Sequence, residues 1–211
     1  GTTIISKMLG TDKLGPSLNP MQISHSRFFF AFILIFFFFM NTKSKIYKPN
    51  YKIHISRSFC GWLGITILFG ASSIIPVSDA TALIFINPIF TMLLAIPFLG
   101  EKIKAFKWLA AIVTFAGAII LIRPENNLFQ IKLINIILIL GALALGLESI
   151  LIKILTQKEK PSQILLVNNG IGLIISSIPI FFIWITPNFK QFLALFFIGS
   201  LMLCAQICFI Q

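Results

Sequence analysis

Ala80 to Gly100 is a run of 21 residues without a charge, and a helix of that length crosses a hydrocarbon core of about 30 Å. Ser58 to Ser78 is a second uncharged run of 21 residues. Phe28 to Met40 carries no nitrogen or oxygen in any side chain and forms the heart of a span expected from about Ile23 to Met40. Trp108 to Ile122, Ile131 to about Leu155, Pro161 to about Thr186 and Gln191 to Gln211 continue the pattern, and the polar stretches between them hold the Gly, Pro and Asn residues that break helices. Gly1 to Leu9 reads as the tail of a helix and Gly10 to Pro20 as a loop. The fold class expected is therefore all-α: a polytopic transmembrane helical bundle with about seven full spans plus the tail of a first. Pro76 and the short turn Val77 to Asp79 make the Ser58 and Ala80 spans antiparallel neighbours. Gly61, Gly64, Gly70, Ala142 and Gly146 are the small residues that let membrane helices approach closely.

Composition agrees, with 57% hydrophobic and 11% charged residues among 211 and a mean hydropathy of +0.97. Seventeen Lys and Arg against six Asp and Glu give a net charge of +11, and the location of those charges decides their meaning. The stretches 41–57, 101–107 and 153–160 hold 5, 3 and 3 basic residues, whereas 10–22, 76–79, 123–130 and 187–190 hold 1, 0, 1 and 1. This alternation places the first set in the cytoplasm and disfavours nucleic acid as the partner, because the bases are not interleaved with solvent-exposed aromatics. The partner is the lipid bilayer. Cys60, Cys204 and Cys208 stand in apolar runs and read as buried small hydrophobes. The chain starts at Gly1 and stops within an apolar run at Gln211, which is expected of a fragment cut at both ends. Its Phe, Ile, Lys and Asn usage fits an AT-rich genome.

One order of features is more specific: an apolar helix with Asn87-Pro88 and Thr91, then Leu99-Gly100-Glu101-Lys102, then an Ala-rich helix ending in Gly117, all preceded by a helix opened by Arg27 and a basic loop. This resembles the EamA-type domain of the drug/metabolite transporter superfamily. The resemblance implies ten helices in two inverted five-helix repeats. Residues 1–122 then hold the first repeat (the tail of helix 1 and helices 2 to 5), 123–130 an external loop, and 131–211 a partial second repeat (helices 6 to 8). Within the second, Ile198-Gly199-Ser200-Leu201 matches Cys60-Gly61-Trp62-Leu63. The implied activity is secondary transport of a small metabolite, amino-acid-like or otherwise amphipathic, across a bacterial inner membrane by alternating access. An S-adenosylmethionine importer is a narrower option. The rival from another class is a non-transporting anchor or assembly protein, and a membrane-embedded enzyme ranks third because no nucleophile with its base is visible.

The residues themselves supply candidates. A proline inside a span frees a carbonyl, here that of Ile84, so Asn87, Pro88 and Thr91 form a polar patch suited to a hinge or a cavity wall. Glu148 is the one acid within its span, a functional position by default, although water near Lys153 would also satisfy it. Ser72 and Ser73 are further cavity candidates, as are Asn168, Asn169 and Gln206 if they do not simply bond between helices. Arg27 is expected to snorkel to the interface, with Gly100, Glu101 and Gly117 marking topology. His25 and His54, read as lying outside the apolar cores, offer no metal site. No catalytic residue, metal or cofactor is expected, and no P-loop is present for ATP-driven transport. A small-molecule solute is the expected cargo, with a coupling ion such as a proton and a homo-oligomeric state left open.

Overall fold

The computed structural model describes residues 1–41, 47–100, 102, 105–122 and 133–210, with only the backbone described for 118–122. Among the described residues every regular element is an α-helix: α1 (Thr2–Leu9), α2 (Pro20–Asn41), α3 (Tyr51–Ile74), α4 (Val77–Ile84), α5 (Asn87–Leu99), α6 (Ala105–Ile122), α7 (Leu133–Thr156), α8 (Pro161–Ile183) and α9 (Phe189–Ile210). Six segments are long and apolar enough to cross a membrane, α4 and α5 together making one of them, and Ala105–Gly117 in α6 is a shorter apolar helix. The expected polytopic bundle is present.

Five helices (α2, α3, α4, α6 and α9) start earlier than the apolar pattern indicated, so that Val77 to Asp79 is the first turn of α4 and not a turn between spans; two of these shifts bear on the interior. Pro20 opens α2, where its missing N–H costs nothing and its fixed φ favours a first turn. Asn50, after Pro49, caps α3 by accepting the Ile53 N–H at 3.4 Å. Arg27 consequently lies two turns inside α2 and is 4% exposed, so it does not snorkel. Arg57, counted above within a loop, lies inside α3 and is fully buried. Removing it from the loop charges leaves their bias intact. His54, also read as outside the core, is enclosed in the same turns.

In the bundle, α3 packs on α7, α2 on α8 and α9, α5 on α7, and α3 on α8, while α1 touches α3 and α9. Small residues set the close approaches. A side chain at Gly64 would meet Leu145 at 2.6 Å and the Gly141 carbonyl at 2.9 Å, and Gly172 makes room for the Phe28 ring. Lys7 at the end of α1 donates to the Ile75 carbonyl at 3.1 Å, placing a cation at the C-terminus of α3.

Much of this packing maps onto itself, although the α1–α3 contact has no counterpart of similar extent between α7 and α9. Exchanging α1, α2 and α3 with α7, α8 and α9 turns the α3–α7 contact into α1–α9 and the α2–α9 contact into α3–α8, and leaves α2–α8 unchanged; all of these contacts exist. The hydrogen bonds at the two ends of the bundle exchange in the same way. At one end Gln22, third residue of α2, accepts the Ile185 N–H at 3.2 Å, four residues before α9. At the other, Gln163, third residue of α8, accepts the Tyr47 N–H at 2.8 Å, four residues before α3. The local sequences match as well: Pro20-Met-Gln-Ile with Pro161-Ser-Gln-Ile, and Pro49-Asn-Tyr-Lys with Pro187-Asn-Phe-Lys. Asn188 caps α9 by accepting the Gln191 N–H at 2.8 Å, as Asn50 caps α3.

Candidate functional site

The span containing Asn87, Pro88 and Thr91 is broken. α4 ends at Ile84, Phe85 and Ile86 form a turn, and α5 starts afresh at Asn87 with Pro88 in its first turn. A hinge or cavity wall within one continuous span was expected. The proline instead begins a second helix, because a residue without an N–H is tolerated at a start and cannot donate to the Ile84 carbonyl. The Ile86 carbonyl accepts from Ile89 (2.9 Å) and Phe90 (3.4 Å), which launches α5.

The new start is clamped to α7. A side chain at Gly146 would meet Phe90 Cβ at 2.8 Å and the Thr91 nitrogen at 3.1 Å. The Thr91 hydroxyl lies 3.1 Å from the Asn87 carbonyl and 3.5 Å from that of Gly146. Beyond this contact a cavity of about 310 Å³ opens between α5, α6 and α7, lined by Pro88, Thr91, Met92, Lys107, Thr114, Ser149 and Lys153 among others. Pro88 and Thr91 therefore face a cavity, whereas Asn87 turns its carbonyl to Thr91 and α7.

A second polar region lies between α2, α3, α7 and α8. A Cβ on Gly61 would lie 2.8 Å from the Glu148 carboxylate, so the glycine makes the space that this acid occupies between α3 and α7. Arg27 and Arg57 lie within electrostatic reach of Glu148, and of each other. The Arg27 guanidinium covers the Phe28 ring at 4.2 Å, a cation–π contact that offers no acceptor oxygen. Nε and Nη2 of Arg27 and Nε, Nη1 and Nη2 of Arg57 are buried without a hydrogen-bond partner among the described residues, as are Ser24 Oγ, Trp62 Nε1, Thr66 Oγ1, Asn168 Nδ2 and Asn169 Oδ1. The Ser58 hydroxyl bonds Asn168 Oδ1 at 2.9 Å, and Asn169 Nδ2 bonds Gln206 Oε1 at 3.1 Å.

This region closes at one end on Glu159. Its carboxylate accepts the Asn50 N–H (3.0 Å), the His54 Nε2–H (3.0 Å) and Gln163 Nε2 (2.7 Å). Burial alone would raise its pKa, but these donors outweigh it and hold the carboxyl below the ordinary value of 4.5.

The other candidate residues are placed as follows. Ser72 and Ser73 both donate to the Phe69 carbonyl, at 2.8 and 3.2 Å, and Ser73 packs against Gly10. Gly100 adopts φ +65°, a left-handed conformation that ends α5, with its N–H directed to the carbonyls of Ala95 and Ile96. A side chain at Gly117 would meet nothing within 4 Å. Glu101 and the 123–130 loop lie outside the described residues. His25 Nδ1 is 2.9 Å from Ser176 Oγ, and no group of three His, Cys, Asp or Glu among the described residues suits a metal. Sequence reading missed Arg57, Glu159 and Gln163. The signals available were Pro49-Asn50 as a helix start, and the recurrence of Pro-x-Gln-Ile and of Pro-Asn-aromatic-Lys.

A discontinuous span beside a cavity, in a multi-pass bundle with a charged interior, is the build of membrane transport proteins. The chain belongs to the EamA-like transporter family, whose pattern matches residues 2–123. It is 29% identical over 198 residues to the S-adenosylmethionine uptake transporter of Rickettsia bellii (strain RML369-C), an alignment covering 93% of this chain and 66% of that protein. The S-adenosylmethionine uptake transporter of Rickettsia prowazekii (strain Madrid E) is 28% identical, with 93% and 65% covered. The riboflavin transporter of Rhizobium johnstonii (strain DSM 114642 / LMG 32736 / 3841) is 32% identical over 111 residues, 53% of this chain and 36% of that protein. The chain thus spans a little under two thirds of the length of the S-adenosylmethionine relatives.

Proposed function

We propose that this chain forms the larger part of a secondary transporter that moves a small metabolite across a bacterial inner membrane by alternating access between two inverted repeats. The broken α4–α5 span carries the reading: a helix that restarts within the membrane sets Pro88 and Thr91 on a cavity wall, an arrangement found where discontinuous helices line a solute path. The self-mapping of α1, α2 and α3 onto α7, α8 and α9 supports residues 1–122 and 131–211 as the two repeats. Pairing of Gln22 with Ile185 and of Gln163 with Tyr47 supplies the two gates, the second at the cytoplasmic end by the positive-inside bias.

Uptake of S-adenosylmethionine is the favoured activity, because relatives with that name align along 93% of the chain whereas the riboflavin transporter of Rhizobium johnstonii aligns along 53%. The test is flux of radiolabelled S-adenosylmethionine and riboflavin into proteoliposomes holding the full-length protein. Saturable uptake of the first and not the second is expected. Failure of any solute in a broad metabolite panel to move would overturn transport itself.

A further inference from the structure

Arg57 is fully buried and Arg27 is 4% exposed, on two neighbouring helices of a membrane bundle. Glu148 is the acid within electrostatic reach of both, and no ion pair within 4.0 Å among the described residues involves either guanidinium. Two cations and one carboxylate leave one positive charge over, and five guanidinium nitrogens lack acceptors. A buried charge of this kind is costly unless a counter-charge with hydrogen-bonding oxygens reaches it. Two planar guanidiniums present the fork geometry that fits a carboxylate.

The pair is also closed off where a permanent structural counter-ion would be found. Glu159, the other acid near this end of the bundle, is already committed to Asn50, His54 and Gln163. Phe28 covers one face of Arg27. A negative group therefore reaches the pair only when the bundle opens, which is what transport requires of a solute site. The excess of one positive charge matches a single carboxylate group better than a doubly charged phosphate ester. Burial within the bundle, away from lipid, argues against a lipid headgroup.

We propose that Arg27 and Arg57 form a carboxylate-binding site on the translocation path, with Glu148 as the resident counter-ion, so that the transported solute carries a free carboxylate. This rests on the transport reading above and narrows it to one chemical class.

The experiment sets S-adenosylmethionine and the common α-amino acids each against its own decarboxylated amine, using the full-length protein. Two readouts are taken: competition for flux in proteoliposomes, and ligand-induced thermal shift in detergent. At least tenfold weaker competition by the decarboxylated partner is expected, together with loss of that discrimination and a rise of tenfold or more in KM for Arg57→Gln and Arg27→Gln. A purely structural pair would instead give variants with lower Tm and unchanged KM; Arg57→Lys, which keeps the charge and loses the fork, separates the two cases by an intermediate KM at an unchanged Tm. Flux without carboxylate discrimination overturns the site and leaves transport standing. Carboxylate-dependent thermal shift without flux overturns transport and leaves the site. Neither signal overturns both.

Discussion

Glu159 is a carboxylate held by three donors with its side chain 7% exposed, and its lowered pKa has a definite consequence for pH. A group whose folded pKa is depressed stabilises the fold above its unfolded pKa, and that contribution is lost as pH falls through the folded value. The part of the stability that Glu159 supplies should therefore be constant above about pH 5 and be lost as pH falls below 4.5, the ordinary value. Glu159→Gln, which has no carboxylate to protonate, should be less stable at pH 7 by roughly 1–3 kcal/mol for the weakened charge-assisted bonds, and should lose that part of the pH dependence. An unchanged profile would exclude the three-donor geometry. Glycines give a sharper contrast. At Gly146 the obstructing atoms include the Thr91 nitrogen at 3.1 Å and the Asn87 carbonyl at 3.3 Å, and backbone cannot rotate away as a side-chain tip can. Gly146→Val should cost about 1–3 kcal/mol as overpacking, read by denaturation in detergent, whereas Gly117→Ala, with open space around it, should change stability by less than about 0.5 kcal/mol.

Helices that pair through one glutamine at each end of the bundle should respond in opposite directions when either glutamine is removed. Gln163→Ala deletes the acceptor for Tyr47 and a donor to Glu159; Gln22→Ala deletes the reciprocal bonds to Ile185. Cys60 reports the outcome, because it is half-buried and within electrostatic reach of Glu148. With Cys204 and Cys208 changed to Ser, an impermeant thiol reagent should label Cys60 from the cytoplasmic face several-fold faster in Gln163→Ala. In Gln22→Ala the faster labelling should come from the external face. Equal rates in both variants would mean that these bonds are not gates. The elements were legible from the sequence wherever a long uncharged run made the helix inevitable, as for Phe28 to Met40. Their starts were not, since Pro20 and Pro49-Asn50 precede the apolar runs by a turn or more, and hydropathy reads a solvated first turn as loop. That offset hid the site: with α3 started at Tyr51 rather than Ser58, Arg57 turns from a loop cation into a buried one. The break at Phe85 and Ile86 was half legible, since Pro88 announces a disturbance without saying whether a helix bends or begins again.

Across the whole molecule, the relation that orders the packing does not order the charge. The exchange of α1, α2 and α3 with α7, α8 and α9 is consistent with a bilayer only if the two triplets run in opposite senses, since Gln22 and Gln163 occupy equivalent positions at opposite ends of the bundle. An inverted pair would, left to itself, share its basic residues equally between the two faces, yet this chain places them unequally: Lys48, Lys52, Lys153, Lys158 and Lys160 stand at one end, against Lys7, Lys13 and Lys190 at the other. The charge asymmetry is thus not inherited from the symmetry of the fold, and by the positive-inside bias it supports the orientation proposed above, with residues 153–160 in the cytoplasm. Single cysteines introduced as Lys13→Cys and Lys158→Cys into a background without the native cysteines test this in intact cells. The first should react with an impermeant maleimide added outside, and the second only after permeabilisation. Labelling of both from the same side would contradict the inverted relation, whereas comparable labelling of each from both sides would mean dual insertion and show that the basic residues do not set the orientation.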